Sequence, residues 1–272
     1  MKFTQKLAAK GFWGRSLDEF KRWSTMVLNS EGMRVPTKPY ILASFEKPEF
    51  ISDCKIMSDR DIGGFSTSSL DWIPPYISSN PTPADNQCGH AQFHGNISIQ
   101  LPANRPDVQR TGFAAWRTKD RGYTIFGKSL WDIDPYTFLA LRIKSDGRKY
   151  FVNLQTESIV QTDIHQHRLY AKRPGEWETV LIPWSEFVRT NHGVVVEPQR
   201  EILRQSLRTI GIGLTDRVPG CFKLCIEKMW ATNNLDVESV SQVSSTDKLH
   251  LKTKYGNHIS WIEKNENKNL TP

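Results

Sequence analysis

The segment 161–170 holds the residues with the clearest capacity for chemistry. Asp163, His165 and His167 alternate along it, so on a β-strand all three would project from one face. Two imidazoles at this spacing can both bind a transition metal ion. A stable site needs a further ligand, and the sequence nominates none. We therefore predict no metal ion here and interpret the segment as the solvated polar face of a strand.

Nothing else in the sequence predicts a catalytic site. It contains no Gly-x-Ser-x-Gly nucleophile elbow and no His-Glu-x-x-His zinc helix. Its acidic residues are numerous, but no pattern pairs two of them as the general acid and base of a glycosidase. We therefore predict a protein without enzymatic activity, catalytic residues or a cofactor, whose functional part is a recognition surface.

A predicted β-hairpin positions the polar residues that are candidates for binding. Asp146-Gly147 has the composition of a two-residue turn that needs positive φ, and alternating apolar residues flank it. We expect one face of the hairpin to be buried and the other to be polar. With the turn at the tip, three apolar pairs fall on the buried face: Ile143 with Tyr150, Leu141 with Val152, and Leu139 with Leu154.

The polar face of this hairpin is the candidate binding surface. It carries Arg142, Asn153 and Gln155, and Trp72 adds an exposed aromatic side chain on a Pro-rich loop. A few aromatic and arginine side chains carry most of the affinity at many interfaces. Three interpretations stay open for this face, namely contact with a partner protein, binding of a glycan, and a plain solvated surface. For Trp72 the alternative is a side chain that anchors its loop on the domain.

A short acidic and glycine-rich segment is the clearest local motif. In residues 58–66, Gly63 and Gly64 allow backbone angles that other residues avoid, and Asp59 can accept hydrogen bonds from amides of the same turn. We interpret Asp59, Gly63 and Gly64, like Asp146 and Gly147 of the hairpin, as structural rather than binding residues.

The remaining pattern predicts an all-β domain between two extensions. From residue 41 to residue 230, about eight short strands alternate with turns, which is typical of a β-sandwich or jelly roll. Residues 1–35 are predicted to be helical, with Ser16 as an N-cap. Residues 36–235 form the predicted sandwich domain, and residues 236–272 form a polar, flexible tail.

Composition and charge restrict the class of partner. The chain has 272 residues, of which 38% are hydrophobic and 24% are charged, as in ordinary globular proteins. Its net charge of +7 is concentrated in residues 1–34, which hold seven basic and three acidic residues. Elsewhere the sequence shows no basic stripe, so we predict no binding to nucleic acid. Residues 1–17 are basic, free of acids and without an apolar signal core, which fits a mitochondrial presequence or a plain basic helix.

Seven ordered segments across residues 41–232 share the spacing of one known family. They are Ala43-Ser44-Phe45, Asp59-x-x-Ile62-Gly63-Gly64-x-Ser66, Phe93-x-Gly95, Gly112-Phe113-Ala114, Leu141-Arg142-Ile143-x-x-Asp146-Gly147-Arg148-x-Tyr150, Trp177 with Ile182-Pro183-Trp184-Ser185-x-Phe187, and Ile210-Gly211-Ile212-Gly213 with Gly220-x-Phe222-x-Leu224. Together these segments resemble the complex I intermediate-associated protein 30 family.

The resemblance implies a fold, a role and a location. The fold is a galactose-binding-like jelly-roll β-sandwich. The role is that of a non-enzymatic mitochondrial chaperone, or assembly factor, which binds and stabilises membrane-arm intermediates of respiratory complex I (NADH:ubiquinone oxidoreductase). The implied partners are these intermediates and other complex I assembly factors, in the matrix and peripheral to the inner membrane. Because carbohydrate-binding modules share this shape, a glycan-binding protein is the alternative function.

Overall fold

Two antiparallel β-sheets packed face to face are the main feature of the described residues. The computed structural model describes residues 11–28, 36, 38–75, 88–158, 160 and 162–234. The predicted all-β jelly-roll sandwich is confirmed, although the described residues form more strands than the sequence pattern indicates. The predicted tail, residues 236–272, lies outside the described residues. In the described part of the chain, no helix combines the length and apolarity needed to span a membrane.

The elements follow one another in chain order. The helices are α1 (Phe12–Leu28) and α2 (Glu49–Ser52), with short 3-10 turns at Asp59–Ile62, Trp184–Glu186 and Arg204–Ser206. The strands are β1 (Tyr40–Ser44), β2 (Cys54–Ser58), β3 (Thr67–Ile73), β4 (His90–Ile97), β5 (Ala114–Thr118), β6 (Tyr123–Thr124), β7 (Gly127–Lys128), β8 (Phe138–Ser145), β9 (Tyr150–Thr156), β10 (Asp163–Arg168), β11 (Trp177–Pro183), β12 (Val188–Asn191), β13 (Val194–Val195), β14 (Leu207–Leu214) and β15 (Gly220–Thr232).

The strands divide between the two sheets in an order far from that of the sequence. The six-stranded sheet has the order β11-β8-β15-β4-β3, and β1 pairs with the second half of β15. The seven-stranded sheet has the order β13-β12-β10-β9-β14-β5-β2. The short strands β6 and β7 form a separate hairpin. Most neighbouring strands are therefore distant in the chain, as expected of a jelly roll.

The predicted hairpin over residues 138–155 is wrong. Strand β8 pairs with β11 and β15 in the six-stranded sheet, whereas β9 pairs with β10 and β14 in the seven-stranded sheet. The turn at Asp146-Gly147 therefore crosses from one sheet to the other. The expected burial is correct, because Leu141 of β8 and Val152 of β9 both point into the space between the sheets and are fully buried. Alternation identifies the buried face of a strand, but it does not identify the neighbouring strand.

The core fills the space between the two sheets. Phe45 lies edge-on against Trp116 with ring centroids 5.5 Å apart, and both side chains are buried. Aromatic pairs in this arrangement add to the stabilisation that apolar burial supplies. The largest fully buried side chains come from both sheets and from the turns between them: Trp116, Trp184, Tyr150, Phe45, Phe93 and Ile97.

Helix α1 contacts the β6–β7 hairpin through two residues. The Nη2 atom of Arg15 donates a hydrogen bond to the carbonyl of Tyr123 (3.2 Å), and the amide of Ile125 donates to Ser16 Oγ (3.1 Å). The predicted N-cap role of Ser16 is wrong, because the helix begins earlier and Ser16 Oγ donates to the carbonyl of Phe12 (2.8 Å). The hydroxyl of Ser16 thus links the helix to the domain.

Candidate interaction surfaces

Asp59 joins three segments of the chain at one end of the sandwich. Its buried carboxylate accepts hydrogen bonds from Ser66 N (2.8 Å), Ser66 Oγ (2.7 Å) and Gly112 N (2.6 Å). Gly63 has a φ of +93°, and a Cβ on Gly64 would lie 2.5 Å from Asp59 Cγ. These contacts are internal to the fold, so the carboxylate is not available to a partner.

The turn between β8 and β9 is held by Asp146 and Arg148. The carboxylate of Asp146 accepts hydrogen bonds from Arg148 N (2.9 Å), Tyr150 Oη (3.1 Å) and Lys223 N (2.7 Å). The Arg148 guanidinium binds the Asp216 carboxylate in a two-point contact (3.1 and 2.8 Å). Like the Asp59 turn, this group of residues connects parts of the fold and leaves little to contact a ligand.

The predicted polar face is not one surface. Arg142 projects outward from the six-stranded sheet, in register with Thr179 and Lys228. Asn153 and Gln155 project outward from the seven-stranded sheet, on the opposite side of the sandwich. A single ligand cannot contact all of them at once. Arg142 is separated from Asn153 and Gln155 because β8 and β9 lie in different sheets.

Asn153 and Gln155 belong to a polar network on the seven-stranded sheet. The amide of Gln166 donates to Asn153 Oδ1 (2.9 Å), and Thr190 Oγ1 lies 3.0 Å from Gln166 Oε1. Thr209 Oγ1 lies 3.0 Å from Gln155 Oε1. These half-buried amides cross-link neighbouring strands. Their binding role stays a prediction, because part of their hydrogen-bonding capacity is already used within the sheet.

Trp72 is not an exposed loop residue. It lies on β3, in register with the buried Ala91, and its Nε1 donates a hydrogen bond to the carbonyl of Phe45 (3.0 Å). The indole is half-buried and points to the inner side of the sheet. The structure therefore places Trp72 as an anchor on the domain, which was the alternative interpretation of its sequence position.

The two histidines of β10 point into the sandwich. His165 and His167 are in register with the buried Leu154 and Val152, and they are only 5% and 8% exposed. The expectation of a solvated polar face is therefore wrong for these two side chains. His167 Nε2 lies 3.3 Å from Glu186 Oε2. Within the described residues, no group of three His, Cys, Asp or Glu side chains has the geometry to hold a metal ion.

The similarity to known proteins extends over nearly the whole chain. A family model for complex I intermediate-associated protein 30 matches residues 43–226. The chain is 48% identical, over 269 residues, to the mitochondrial complex I intermediate-associated protein 30 of Neurospora crassa, and this match covers 95% of the chain and 96% of that protein. The chain belongs to the complex I intermediate-associated protein 30 family. The member from Drosophila melanogaster is 26% identical over 194 residues, which are 68% of this chain and 61% of that protein.

Solved structures with a similar course of the chain include carbohydrate-binding modules. The family 11 module of Clostridium thermocellum, solved with a mixed-linked tetrasaccharide, is 12% identical to this family member and aligns with a TM-score of 0.49. The alignment covers 74% of this chain and 98% of that module. A family 30 carbohydrate-binding module is 11% identical and aligns with a TM-score of 0.39, and this alignment covers 77% of this chain and 90% of that module. No glycan-binding role follows from likenesses at this level.

The sequence also contains a phosphate-loop pattern that the motif search did not identify, and the structure shows that the segment has a different architecture. Gly122-x-x-x-x-Gly127-Lys128-Ser129 matches the spacing of a phosphate-binding loop. Such a loop needs a strand before it and a helix after it, whereas here the segment forms the β6–β7 hairpin. The Lys128 ammonium is also paired with the Glu157 carboxylate. The segment therefore does not have the architecture of a nucleotide site.

The β6–β7 hairpin and helix α1, which contact each other, expose several large apolar side chains. On the helix, Trp13, Leu17 and Phe20 follow helical spacing and form one stripe, and Trp13 is 77% exposed. At the hairpin, Tyr123, Ile125 and Phe126 are also exposed. Exposed apolar side chains at this density mark interaction sites more often than ordinary surface. We call these six residues the apolar patch.

His165, one of the two buried histidines of β10, gives the protein a predictable response to pH. Burial lowers the pKa of His165 to about 4, and the nearby Arg189 guanidinium lowers it as well. In the unfolded chain the pKa of His165 is near 6.5. Between pH 4 and pH 6.5 the unfolded chain therefore binds more protons at this residue than the folded chain does. Stability is therefore lost as the pH falls through this window. We expect a loss of about 2–3 kcal/mol between pH 7 and pH 4 from this residue.

Urea unfolding at a series of pH values measures this effect. Because other groups also titrate, the informative quantity is the difference between the parent and the His165→Gln variant. The variant should lose less stability on acidification. Equal losses in the two proteins would show that His165 does not control the response.

Proposed function

We propose that this protein is a non-enzymatic assembly factor, with chaperone activity, for respiratory complex I. The observation that carries the proposal is its 48% identity, over nearly its full length, to a protein named for its association with complex I intermediates. We infer further that it binds and stabilises intermediates of the membrane arm, together with other assembly factors. The exposed faces of the two sheets and the apolar patch supply the surfaces for such contacts.

We propose a location in the mitochondrial matrix. The support is the basic, acid-free start of the sequence and the word mitochondrial in the names of the relatives. The sequence predicts a presequence or a helical N-terminal extension over residues 1–35, and in the structure Arg15 and Ser16 of α1 bond to the domain. We therefore place any cleavage before Phe12, so that the helix stays on the mature protein. Sequencing the N-terminus of the protein isolated from mitochondria tests this placement.

We propose that the apolar patch holds the protein against the inner membrane. A helix that exposes an apolar stripe binds the interface of a bilayer without crossing it. Tryptophan and tyrosine favour this interface, because one end of each ring is apolar and the other is polar. The patch contains Trp13 and Tyr123, and cationic residues such as Lys21 lie on the same helix. This surface would bring the protein close to partners that lie within the membrane.

Vesicle binding tests the membrane proposal. We expect the double variant Trp13→Ser/Phe126→Ser to bind vesicles of phosphatidylcholine and phosphatidylglycerol about tenfold more weakly, since two large apolar side chains are lost. Leu203→Ser is the matched control, because Leu203 is 51% exposed and lies outside the patch. Co-sedimentation gives the affinity. Unchanged binding of the double variant would remove the patch from the proposal.

The assembly role is tested by a blue-native gel of mitochondria from cells that lack the protein. The expected result is a loss of mature complex I, an accumulation of incomplete membrane-arm assemblies, and recovery when the full-length chain is restored. Normal complex I in these mitochondria would overturn the proposal. We do not propose glycan binding, because Arg142 lies across the sandwich from Asn153 and Gln155, so no single face presents the three residues that were its candidate site.

A further inference from the structure

We propose that the outward face of the six-stranded sheet binds an acidic segment of a partner protein. The inference rests on the proposed function in one respect, since it names the chemistry of a partner segment that an assembly factor would hold. Four cationic residues carry the argument: Arg142, Lys144, Lys223 and Lys228. We call them the cationic face.

The register of the strands brings these four residues together. Arg142 of β8 lies directly opposite Lys228 of β15, although 86 residues separate them in the chain. Lys144 lies opposite Cys225, which is two residues beyond Lys223 on the same side of β15. Like charges directly opposite each other destabilise a sheet. An anion that binds across this pair would offset the repulsion between the two cations.

The negative charges on the same face are few and already have partners. Along the six strands, Asp71 and Glu227 are the carboxylates that project outward within the described residues. Asp71 Oδ2 lies 2.6 Å from His94 Nε2, and Glu227 Oε1 lies 3.5 Å from Lys228 Nζ. Arg142, Lys144 and Lys223 form no ion pair in the described part of the chain, so their charges remain available.

Aromatic and apolar side chains border the cations. Trp177 of β11 reaches across two strands to His90 of β4, with ring centroids 5.1 Å apart. The Lys228 ammonium lies 5.4 Å from the ring centroid of Trp230. Beside Trp230, Ile41 of β1 is 46% exposed. Trp230 is only 8% exposed, so the apolar side chains open to an occupant are Trp177 and Ile41. The occupant that fits this surface combines carboxylates with apolar side chains.

The exposure of the cations favours a narrow polypeptide over a membrane or a nucleic acid. Arg142, Lys144 and Lys228 are only partly exposed, whereas Lys223 is exposed. Lys144 lies opposite Trp177, and the Lys228 ammonium lies over the Trp230 ring. A flat bilayer touches the most protruding groups of a protein, which here are not these three. An extended chain can lie across the sheet and reach them, because its side chains alternate at the spacing of a strand.

The test uses the full-length protein and a short fluorescent peptide of alternating Glu and Leu residues. The same peptide with Gln in place of Glu, and vesicles rich in phosphatidylglycerol, are measured in parallel. We expect the Glu peptide alone to bind the cationic face, with an affinity that falls as salt is added. In the double variant Arg142→Gln/Lys228→Gln we expect about tenfold weaker peptide binding and unchanged vesicle binding.

The matched control is Lys55→Gln/Arg117→Gln. These cations also lie opposite each other, but on the outward face of the seven-stranded sheet, so the control removes the same charge from the other side. It should leave peptide binding unchanged. The Arg142→Gln/Lys228→Gln variant should fold normally, because it loses a like-charge pair, and urea unfolding checks this.

Two results would overturn the inference. One is equal binding of the Glu and Gln peptides, and the other is an equal loss of peptide binding in the two double variants. If vesicle binding falls in Arg142→Gln/Lys228→Gln while peptide binding is retained, the face binds a membrane and the inference is also wrong. Normal complex I in the deletion mitochondria would remove the assembly role and leave the peptide result standing, so the two failures can be told apart.

Discussion

Asp59→Ala should unfold at a much lower urea concentration than the parent protein. The substitution leaves the amides of Ser66 and Gly112 without their acceptor in a fully buried site, whereas the Ser66 hydroxyl keeps the Ser98 carbonyl as an acceptor at 3.2 Å. A buried donor without a partner costs about 1–3 kcal/mol, and hydrogen bonds to charged groups are the stronger ones. We expect a loss of about 3–5 kcal/mol in the free energy of unfolding.

Asp61→Ala is the control for this prediction. It lies in the same turn and bears the same charge, but its side chain is exposed, so a change within about 0.5 kcal/mol is expected. Asp59→Asn should also destabilise the protein, since an amide presents an N–H group where a second acceptor is needed. If Asp59→Ala and Asp61→Ala were equally stable, the carboxylate would not be the link between these segments.

Arg148→Ala should have an effect of similar size for a different reason. The guanidinium binds the Asp216 carboxylate and also donates to the carbonyls of Val218, Gly220 and Cys221. The Asp216 side chain is only 5% exposed, so removal of its partner leaves a nearly buried charge. Breaking a buried ion pair in this way costs about 3–5 kcal/mol. Urea unfolding of the variant measures the loss.

Two further variants separate the causes. Arg148→Lys keeps the charge but loses the planar fork, so it should recover only part of the stability. Lys149→Ala removes the neighbouring exposed cation and should change little. Full recovery by Arg148→Lys would mean that charge alone matters at this turn and that the backbone carbonyl contacts contribute nothing.

The burial of individual strand faces was predictable from the sequence, whereas the pairing of strands was not. The alternation along 138–145 and 150–156 correctly identified Leu141 and Val152 as core residues. The same alternation suits a hairpin and a turn that crosses between two sheets. A hairpin and a crossing turn differ in which distant strands pair with β8 and β9, here β15 and β14. The sequence of residues 138–156 alone does not determine these long-range pairings. Because β8 and β9 do not pair with each other, the single binding face predicted for Arg142, Asn153 and Gln155 is also wrong.

The cationic face and the apolar patch could not be predicted from the sequence either, because each depends on contacts between distant parts of the chain. The cationic face joins residues of β8 to residues of β15, so in the sequence its charges are scattered and no basic stripe is visible. The apolar patch likewise joins a helix to a distant hairpin. By contrast, the structural character of the Asp59 turn was evident, because its residues are close in sequence and glycine has few roles in such a turn.

The position of β15 determines when this protein can fold. It is the last strand in the described part of the chain, yet it is the central strand of the six-stranded sheet, where it pairs with β4, β8 and β1. In the described residues β1 pairs with no other strand. A chain that extends only as far as residue 219 lacks this strand and cannot complete the sheet. The six-stranded sheet therefore forms only after residues as far as Thr232 are available, and it must close long loops, which is slow and leaves apolar strands open to aggregation.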